Sequence, residues 1–439
     1  MKTLLGILIL FPVFSMGQNI DFEKVNRLAY GDSARLVEIF KDLHANPELS
    51  FMETRTAGIV SEELKSLGYH VINGIGKTGV VGILQNGEGP VVMYRADMDA
   101  LPVREESGLP YASKAMARKE DGTEVAVMHA CGHDAHITWM LGAAKILVAM
   151  KNSWKGTLVF VAQPAEEIGQ GAEAMVKDKM YERGVPFPDY LIGMHSRPVE
   201  VGLVQNCVGP QMSGVDNFDV TFYGIGGHSS SPHLSKDPVI MAATAVINYQ
   251  TIVDRLVSAQ NPHVITVGSI VAGTANNIIP SSAIVKVNLR WFTESDRTLM
   301  IDGIKRVNEG IALANDLPRE LYPTILYKAT DGPVVNNELM VSKINAALKK
   351  SIPEKKIITE SPPWMVSEDF PDLVLSVKKD PAYDYLFIGI AEPELCRKAA
   401  AEGKEFPFYN HNPAFRIDLS AIPFGTEVGV TAILGMFVK

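Results

Sequence analysis

Short apolar runs of strand length alternate with helical segments through the first half of this chain. We predict strands at 79–84, 91–95, 157–161 and 190–194 and helices at 54–67, 135–150 and 171–179. Strands that alternate with helices favour an α/β fold with a mixed, largely parallel sheet flanked by helices. Ligands of such sheets bind beyond the carboxyl ends of the strands. Five acidic and histidine side chains follow strand ends here: Asp97, Asp99, Glu166, Glu167 and His195.

The pattern of elements changes after residue 213. The predicted elements are then a strand at 217–223, a helix at 238–257, strands at 264–271 and 282–292, a helix at 296–315 and a strand at 322–328. This β-α-β-β-α-β order is typical of a ferredoxin-like sandwich. We therefore predict an inserted domain over 213–329. Helical periodicity resumes at 339–348 and 426–437, so residues 18–212 and 330–439 are expected to form one outer domain.

The N-terminus differs in composition from the rest of the chain. Lys2 precedes an apolar run from Leu4 to Phe14, which ends in Ser15-Met16-Gly17. This combination is typical of an export signal, so residues 1–17 are expected to be the signal peptide of a periplasmic or secreted protein. The apolar run is shorter than the ~20 residues that span a bilayer. We expect no membrane association after cleavage.

Net charge and cysteine content exclude other classes of protein. The formal net charge of the 439 residues is −9 and no cluster of basic residues interrupts it, so nucleic acid is not expected as a partner. Three cysteines, Cys131, Cys207 and Cys396, are too few for a disulfide scaffold. Another role is therefore open to Cys131.

Metal-ligating residue types are concentrated in His129-Ala130-Cys131-Gly132-His133 and in Glu166-Glu167. Cys, His and Glu bind Zn²⁺ and its first-row neighbours, and a hydrolytic site also needs a carboxylate that deprotonates water. In an extended segment adjacent glutamates point in opposite directions, so one can bind metal while the other faces the substrate as a base. The alternatives are a buried cysteine beside a surface histidine and an acidic pair at a helix start. Together the two segments favour a metallohydrolase.

Three further histidines are isolated in the sequence. His195 follows an apolar strand, and His411 precedes the last predicted helix. Lone histidines are mostly structural, but these two positions favour ligands of the same site. His228 lies in the predicted inserted domain, where it could approach the metals only by domain closure or from a second subunit. By itself it would be interpreted as a loop histidine.

Eight ordered segments resemble the motifs of the M20 metallopeptidases, most closely the aminoacylase, hippurate hydrolase and auxin-conjugate hydrolase branch. The segments are 43–50, 95–102, 128–136, 163–167, 193–195, 226–233, 273–280 and 367–370. The resemblance runs from about residue 35 to the C-terminus. It implies a catalytic α/β domain with an inserted lid or dimerisation domain, and a homodimer.

The resemblance also implies a role for each matching residue. It implies two divalent ions, for which Zn²⁺ suits the donors best and Mn²⁺, Co²⁺ or Ni²⁺ are alternatives. The implied ligands are Cys131, His133, Glu167, His195 and His411. Glu166 would be the general base, and Asp99 would orient the site. Asp97 stands where many relatives outside this branch have a metal-binding histidine.

Residues of the inserted domain complete the implied site. His228 resembles the histidine that stabilises the tetrahedral oxyanion, often across the dimer interface. Asn277 and Arg290 resemble residues that hold the substrate carboxylate, and the fork of Arg290 suits both carboxylate oxygens. From the sequence alone, Arg290 could equally form an ion pair on an exposed strand face.

These assignments predict hydrolysis of the amide bond of N-acyl or N-aroyl amino acids. Glu166 would deprotonate a water acidified by two metals and then protonate the leaving amine. A dipeptidase or carboxypeptidase of the same fold is an alternative, and so is a thiol mechanism with Cys131 as nucleophile and His133 as base. A non-catalytic binding protein is a third possibility, which the presence of Glu166 disfavours.

Residues 114–127 and 378–408 look like additions relative to compact relatives, and they could reshape the entrance to the substrate site.

Overall fold

The structure is a computed structural model that describes residues 20–377 and 381–438. The predicted signal peptide, 1–17, lies outside the described residues. The helices are α1 (Phe22–Gly31), α2 (Ser33–Ala45), α3 (Thr54–Ser66), α4 (His133–Ala149), α5 (Gly171–Lys177), α6 (Pro238–Arg255), α7 (Glu294–Ala314), α8 (Glu338–Leu348), α9 (Asp372–Leu375), α10 (Pro393–Ala401) and α11 (Ala421–Phe437). None of these helices is long and apolar enough to cross a membrane.

The strands of the described residues vary from two to eleven residues in length. They are β1 (His70–Ile75), β2 (Gly79–Asn86), β3 (Val91–Asp97), β4 (Met116–Arg118), β5 (Glu124–Ala126), β6 (Gly156–Gln163), β7 (Tyr190–Glu200), β8 (Val204–Gln205), β9 (Gly209–Met212), β10 (Gly214–Tyr223), β11 (Gly227–His228), β12 (Val264–Ala272), β13 (Ile278–Ile279), β14 (Ser282–Trp291), β15 (Thr324–Asp331), β16 (Val334–Asn336), β17 (Ile357–Ile358) and β18 (Tyr383–Ala391).

The main sheet has the strand order β1-β2-β6-β3-β7-β18-β8-β17. Its centre is parallel, because β3 pairs with β6 and β7 in that sense and β7 pairs with β18 likewise. The strands β1 and β2 continue the sheet in an antiparallel sense. Parallel strands are buried on both faces and read as largely apolar runs. Every residue of β18 is buried here. The predicted mixed, largely parallel α/β fold is confirmed.

Helices cover both faces of the main sheet. On one face α2, α4, α8 and α11 pack around large buried side chains such as Trp139 and Phe160. On the other face α5 and α9 pack against Tyr385 and Phe370. Burial at about 25 cal/mol per Å² of apolar surface is the main favourable contribution to such cores. The central strands are therefore fixed between two apolar layers, and their ends have a defined position for the site.

A second sheet has the antiparallel order β12-β14-β10-β15. The helices α6 and α7 cover one face of it, and Tyr249 and Ile304 are buried there against strand residues such as Val285. Along the chain these elements follow the β-α-β-β-α-β order expected from the sequence. The opposite face of the sheet carries polar side chains, among them Asn217, Asn288 and Arg290.

Two expectations about strand positions need correction. The strand that carries His195 does not end at residue 194, because β7 continues to Glu200 in register with β18. Pairing between β3 and β7 stops at Arg95 and Gly193, and in this parallel register His195 lies level with Asp97 at the carboxyl end of β3. The interpretation of 378–408 as an addition is wrong for most of its length, since it contains β18 in the centre of the main sheet and α10. Within 114–127, β4 and β5 form a small separate hairpin.

Candidate metal centre

The loop that carries Cys131 turns sharply into α4 at Gly132. Gly132 has a φ of +89°, which glycine adopts without strain. A Cβ atom at this position would lie 2.5 Å from Oγ of Ser196 on β7. Glycine therefore lets the loop pack closely against the strand that carries His195. Cys131 precedes the turn, His133 begins α4, and both side chains are buried.

Five of the sequence-predicted ligands form two groups that share Cys131. The ligand atoms of Cys131, His133 and His195 all lie within 4.8 Å of one another, and so do those of Cys131, Glu167 and His411. One thiol, three imidazoles and a carboxylate are donors that suit Zn²⁺ and neighbouring divalent ions. The structure thus brings together every predicted ligand, with Cys131 at the junction of the two groups.

Unpaired buried atoms indicate that these residues fit a bound cation. Nε2 of His133 and Oε1 of Glu167 are buried and form no hydrogen bond with the described residues. Burial and the charge of Glu167 raise the pKa of the Cys131 thiol above its ordinary value. A buried polar atom without a partner is costly, and a thiolate at this position needs a compensating positive charge. Divalent ions would supply it, which also disfavours a free thiolate nucleophile.

The imidazole of His195 is held in the tautomer that a metal ligand needs. Its Nδ1 donates a hydrogen bond to the carbonyl oxygen of Ser196 at 2.8 Å, so Nε2 keeps its lone pair. Nε2 lies 3.5 Å from Sγ of Cys131. Burial and the neighbouring His136 hold the pKa of His195 well below its ordinary value, so the ring is neutral. A ring nitrogen fixed by a backbone acceptor is common among histidine ligands.

The two glutamates lie in a 3-10 turn, Glu166–Ile168, and not in the extended segment assumed from the sequence. Ala165 before them has a φ of +52°, which reverses the chain after β6. The two carboxylates lie near each other and near Nε2 of His133, which is 3.7 Å from each of them. Glu167 also belongs to the group with His411, whereas Glu166 also lies near Glu368 and Asp369. Both glutamates line the same cleft. The predicted division of roles therefore depends on the other neighbours of each glutamate, and not on side chains that point in opposite directions.

Asp99 holds this turn by its backbone. Its Oδ1 accepts the N–H of Glu166 at 3.1 Å and its Oδ2 accepts the N–H of Glu167 at 3.0 Å. Ser50 donates its hydroxyl to the same Oδ2 at 2.6 Å. Oδ1 also lies 3.3 Å from Nδ1 of His133. Asp99 thus connects both glutamates with a histidine of the other ligand group.

The carboxyl group of Glu166 lies in an acidic environment. Burial and the charges of Glu368 and Glu167 raise its pKa well above the ordinary value. A carboxylate with a raised affinity for protons suits a group that accepts a proton and later returns it. This property agrees with the base predicted from the sequence.

A buried arginine that the sequence analysis did not assign lies beneath the site. Arg95, on β3, is 1% exposed and pairs with three carboxylates, at 2.5 Å from Asp97, 2.8 Å from Glu368 and 3.1 Å from Asp369. Gln163 also binds it, through Oε1 at 2.9 Å. A buried guanidinium needs such partners because desolvation is expensive. An arginine inside an otherwise apolar strand was the available signal for this network.

Asp97 supports the site without joining either Cys131 group. Its Oδ1 accepts a hydrogen bond from Nδ1 of His136 at 2.6 Å, and Nε2 of His136 accepts the N–H of Ser196 at 2.9 Å. Both ring nitrogens of His136 already form hydrogen bonds, so His136 is not available as a metal ligand.

Glu53, also unassigned from the sequence, accepts the N–H of Ala165 at 2.9 Å. Burial and the charge of Asp99 raise the pKa of Glu53 to about 7.

The ligand groups open into a cleft of about 800 Å³ between the two sheets. Cys131, Glu166, Glu167, His195 and His411 line it, and so does Arg290 from β14. Arg290 donates from Nε to Asn288 at 3.1 Å, while its buried Nη1 has no hydrogen-bond partner among the described residues. The predicted alternative of an ion pair at Arg290 is not observed in the described part of the chain.

Two predicted residues lie elsewhere. His228 and Asn277 line a separate cavity of about 750 Å³ beside β11, β12 and β13. The N–H of Ser229 donates to the carbonyl oxygen of Asn277 at 3.1 Å, which keeps their two segments together. Within one chain, the structure does not bring these two side chains into the cleft that holds the ligand groups.

Comparisons with known proteins agree with this site. The model of peptidase family M20/M25/M40 matches residues 93–434. A hippurate hydrolase of Campylobacter jejuni is 39% identical over 337 residues, 76% of this chain and 83% of that protein. An N-acyl-L-amino acid amidohydrolase of Geobacillus stearothermophilus is 36% identical over 317 residues, 72% of this chain and 81% of that protein.

A solved structure is similar over nearly the whole chain. The YXEP protein of Bacillus subtilis, described as a dinuclear metal-binding peptidase of the M20 family, has a TM-score of 0.73 and 26% sequence identity. The match covers 93% of this chain and 99% of that one. With the family match and the relatives above, it follows that this chain belongs to the M20 peptidases, in their amidohydrolase branch, and is a metal-dependent amidohydrolase.

Proposed function

We propose that this protein hydrolyses the amide bond of N-acyl or N-aroyl amino acids to a carboxylate and an amino acid. The observation that carries the proposal is that Arg290 shares one cleft with Glu166 and both Cys131 groups. A guanidinium with a free Nη1 suits a carboxylate. One substrate can therefore place its carboxylate at Arg290 and its amide beside Glu166. The names of the Campylobacter and Geobacillus relatives support this substrate class.

Two divalent ions are part of the proposal. Cys131, His133 and His195 would hold one ion, and Cys131, Glu167 and His411 would hold the other. When bound, the ions supply Lewis acidity toward the amide carbonyl and lower the pKa of water. We propose Zn²⁺, because a thiolate and imidazoles suit it, with Mn²⁺, Co²⁺ or Ni²⁺ as alternatives. The dinuclear description of the Bacillus subtilis structure supports two ions.

The proton transfers are assigned to Glu166. It takes a proton from the attacking water and donates it to the leaving amine nitrogen, so the amide C–N bond breaks with a neutral amine as product. Asp99 keeps Glu166 in place through the backbone of the turn. Arg95 balances the negative charge of Glu368 and Asp369 next to it. Arg290 anchors the carboxylate of the amino-acid part.

A homodimer would explain the position of His228 and Asn277. The strand β12 is at the edge of its sheet and borders the cavity that holds both side chains. Its Ile270 and Val271 are 48% and 55% exposed. An exposed apolar edge strand is a ready surface for pairing with another strand. We propose that a second copy pairs here. In the cleft of that copy, His228 would then donate a hydrogen bond to the tetrahedral oxyanion, and Asn277 would donate one to the carboxylate of the substrate.

The location of the protein is proposed from the sequence alone. The composition of residues 1–17 supports export to the periplasm or the medium. The experiment for this part is N-terminal sequencing of the protein from cell fractions. A mature N-terminus near residue 18 outside the cytoplasm would support export, and an intact N-terminus in the cytoplasm would contradict it.

The activity is tested with a substrate screen on metal-reconstituted protein. Chelated protein is loaded with Zn²⁺, Mn²⁺ or Co²⁺ and assayed with hippurate, N-acetyl amino acids and free dipeptides. Release of amino acid from the N-acylated compounds is expected. Turnover confined to free dipeptides would contradict the proposal and favour the dipeptidase alternative. Full activity in chelator would contradict the metal assignment.

A further inference from the structure

Three aromatic side chains form one side of the cleft, and we call them the aromatic wall: Trp364, Phe406 and Tyr409. The rings of Trp364 and Phe406 meet edge-on with centroids 6.0 Å apart, and those of Phe406 and Tyr409 meet at 5.6 Å. Tyr409 is two residues before His411, and it is 56% exposed. The wall therefore combines a buried ring, Phe406, with an exposed ring, Tyr409, that is close in the chain to a proposed metal ligand.

Backbone hydrogen bonds fix the position of Trp364 in this wall. The N–H of Trp364 donates to Gln211 at 2.8 Å, and its carbonyl oxygen accepts the N–H of Ser213 at 3.0 Å. The ring of Phe387, on the central strand β18, packs against Trp364 at 5.3 Å. Trp364 is thus attached to both the main sheet and the segment that leads into β10. Its ring has little freedom to leave the cleft.

A buried cation lies behind the wall. The guanidinium of Arg197 is 4.1 Å from the ring centroid of Trp364 and 5.8 Å from that of Phe406. Arg197 is 8% exposed and donates a hydrogen bond to Oε1 of Gln205, and no carboxylate of the described residues lies within ion-pair distance of it. Burial lowers its pKa to about 10, so it remains charged near neutral pH. Ring faces stabilise such a cation, and the cation in turn orients the rings.

We propose that the aromatic wall binds the acyl part of the substrate and that this part is itself an aromatic ring. The inference rests on the proposed function, because Arg290 and the ligand groups set the direction of the substrate. Trp364, Phe406 and Tyr409 line the same cleft as Arg290 and Glu166, so they border the space that an acyl group can occupy when the carboxylate lies at Arg290 and the amide at Glu166. Aromatic rings gain from edge-to-face and offset contacts beyond the area that they bury. An acetyl group has no ring with which to make such contacts.

Binding without metal provides a first test that does not depend on catalysis. Dissociation constants of hippurate and N-acetylglycine, which differ only in the acyl group, are measured by calorimetry on chelated full-length protein. We expect hippurate to bind about tenfold more tightly. In Phe406→Leu the ratio of the dissociation constant of N-acetylglycine to that of hippurate is expected to fall about fivefold. Tyr30→Leu, on α1 and outside the cleft, is the matched control. Equal binding of the two compounds by the unaltered protein would overturn the inference.

Kinetics on the reconstituted protein provides the second test. The ratio of kcat/KM for hippurate to that for N-acetylglycine is expected to exceed about ten and to fall in Phe406→Leu and Tyr409→Leu. Equal losses with both substrates would indicate a structural defect and contradict the inference. If neither compound is hydrolysed, the proposed function fails, and the binding ratio still decides which acyl group the wall prefers.

Arg197 has a positioning role in this proposal, since it does not line the cleft. Arg197→Met is expected to raise KM for hippurate severalfold with little effect on kcat, because the chemistry at Glu166 does not involve it. Arg197→Lys, which keeps a cation near the rings, is expected to recover part of the loss. A fall in kcat with unchanged KM in Arg197→Met would contradict this role.

Discussion

The carboxylate of Asp99 binds the backbone of Glu166 and not the side chain of Glu166: Oδ1 of Asp99 accepts the N–H of Glu166 at 3.1 Å. The other oxygen of Asp99 accepts the N–H of Glu167. One carboxylate therefore fixes the position of the proposed base and of a proposed ligand together. A single change at Asp99 should disturb both functions, whereas a change at either glutamate should disturb one.

Asp99→Asn replaces one of these acceptor oxygens by an amide that faces a backbone N–H. We expect kcat/KM to fall about 10- to 100-fold and metal affinity to weaken, as is typical when the partner of a ligand is lost. Steady-state kinetics and metal analysis of the purified variant check this. Asp254→Asn, at an exposed site on α6, is the control. Retention of both metals and of full activity in Asp99→Asn would show that the turn does not depend on this carboxylate.

Exchange of each glutamate for glutamine separates base from ligand. Glu166→Gln is expected to lose activity by at least ~100-fold while it keeps both ions, because it removes only the proton acceptor. Glu167→Gln is expected to lose metal from the group with His411. The number of bound metal ions per chain, measured together with the turnover rate, distinguishes the two variants. Metal loss in Glu166→Gln with full occupancy in Glu167→Gln would reverse the assignment.

Removal of metal should affect both activity and stability. A chelator is expected to abolish turnover, and Zn²⁺, Mn²⁺ or Co²⁺ should restore it. Ions that bind only the folded state also stabilise it, by about 2.7 kcal/mol at a free concentration 100 times Kd. Thermal unfolding with and without chelator measures this. Turnover that survives chelation and is lost on alkylation of Cys131 would instead support the thiol mechanism.

His44 should make stability depend on pH. Burial lowers its pKa, but hydrogen bonds to Asp134 at 2.6 Å and Glu105 at 3.1 Å outweigh burial and raise it to about 9. Since the folded pKa exceeds the unfolded value of about 6.5, the stabilisation is complete below pH ~6.5 and disappears as pH rises through about 9.

The comparison of His44→Gln with the unaltered protein tests this. The difference in the free energy of unfolding is expected to shrink by on the order of 3 kcal/mol between pH ~6 and pH ~10. Urea unfolding at several pH values gives the difference. The variant His70→Gln, at an exposed position, is the matched control. A difference that stays constant or grows with pH would show that His44 is neutral when folded.

Arg290→Met tests recognition of the carboxylate. Hydrogen bonds to charged groups contribute about 1.5 to 3 kcal/mol, so kcat/KM for hippurate should fall roughly 10- to 100-fold. Hippuramide, which lacks the carboxylate, should be much less affected. The measured quantity is the ratio of the two substrates in each variant. Equal losses would place the carboxylate elsewhere in the cleft.

Local sequence patterns were sufficient for several of the elements around the site and for the ligand types, but not for β18 or α10. Apolar runs that become β3, β6 and β7 are largely buried, so their pattern is a direct consequence of their environment. The helix that begins at His133 follows a glycine at positive φ, which is also a local requirement. These features depend on neighbours in the chain and could be predicted from it.

The resemblance to a known family added roles that spacing could not supply, and the structure changed the reasons for some of them. Glu166 and Glu167 lie in a 3-10 turn after Ala165 and not in an extended segment, and their carboxylates lie near each other beside His133. The positive φ of Ala165 is stabilised by contacts with Glu53, more than one hundred residues away in the chain. No local pattern contains that contact.

The sequence alone therefore determined the α/β class, the order of the second sheet and the residue types of a metal site, because these follow from periodicity and donor chemistry. Only the tertiary structure decided that Cys131 joins two ligand groups, that Arg95 is surrounded by three carboxylates, and that Arg290 but not Asn277 enters the cleft. These are distances between residues far apart in the chain. They are set by how two sheets and their helices pack, which depends on the whole core and not on any one segment.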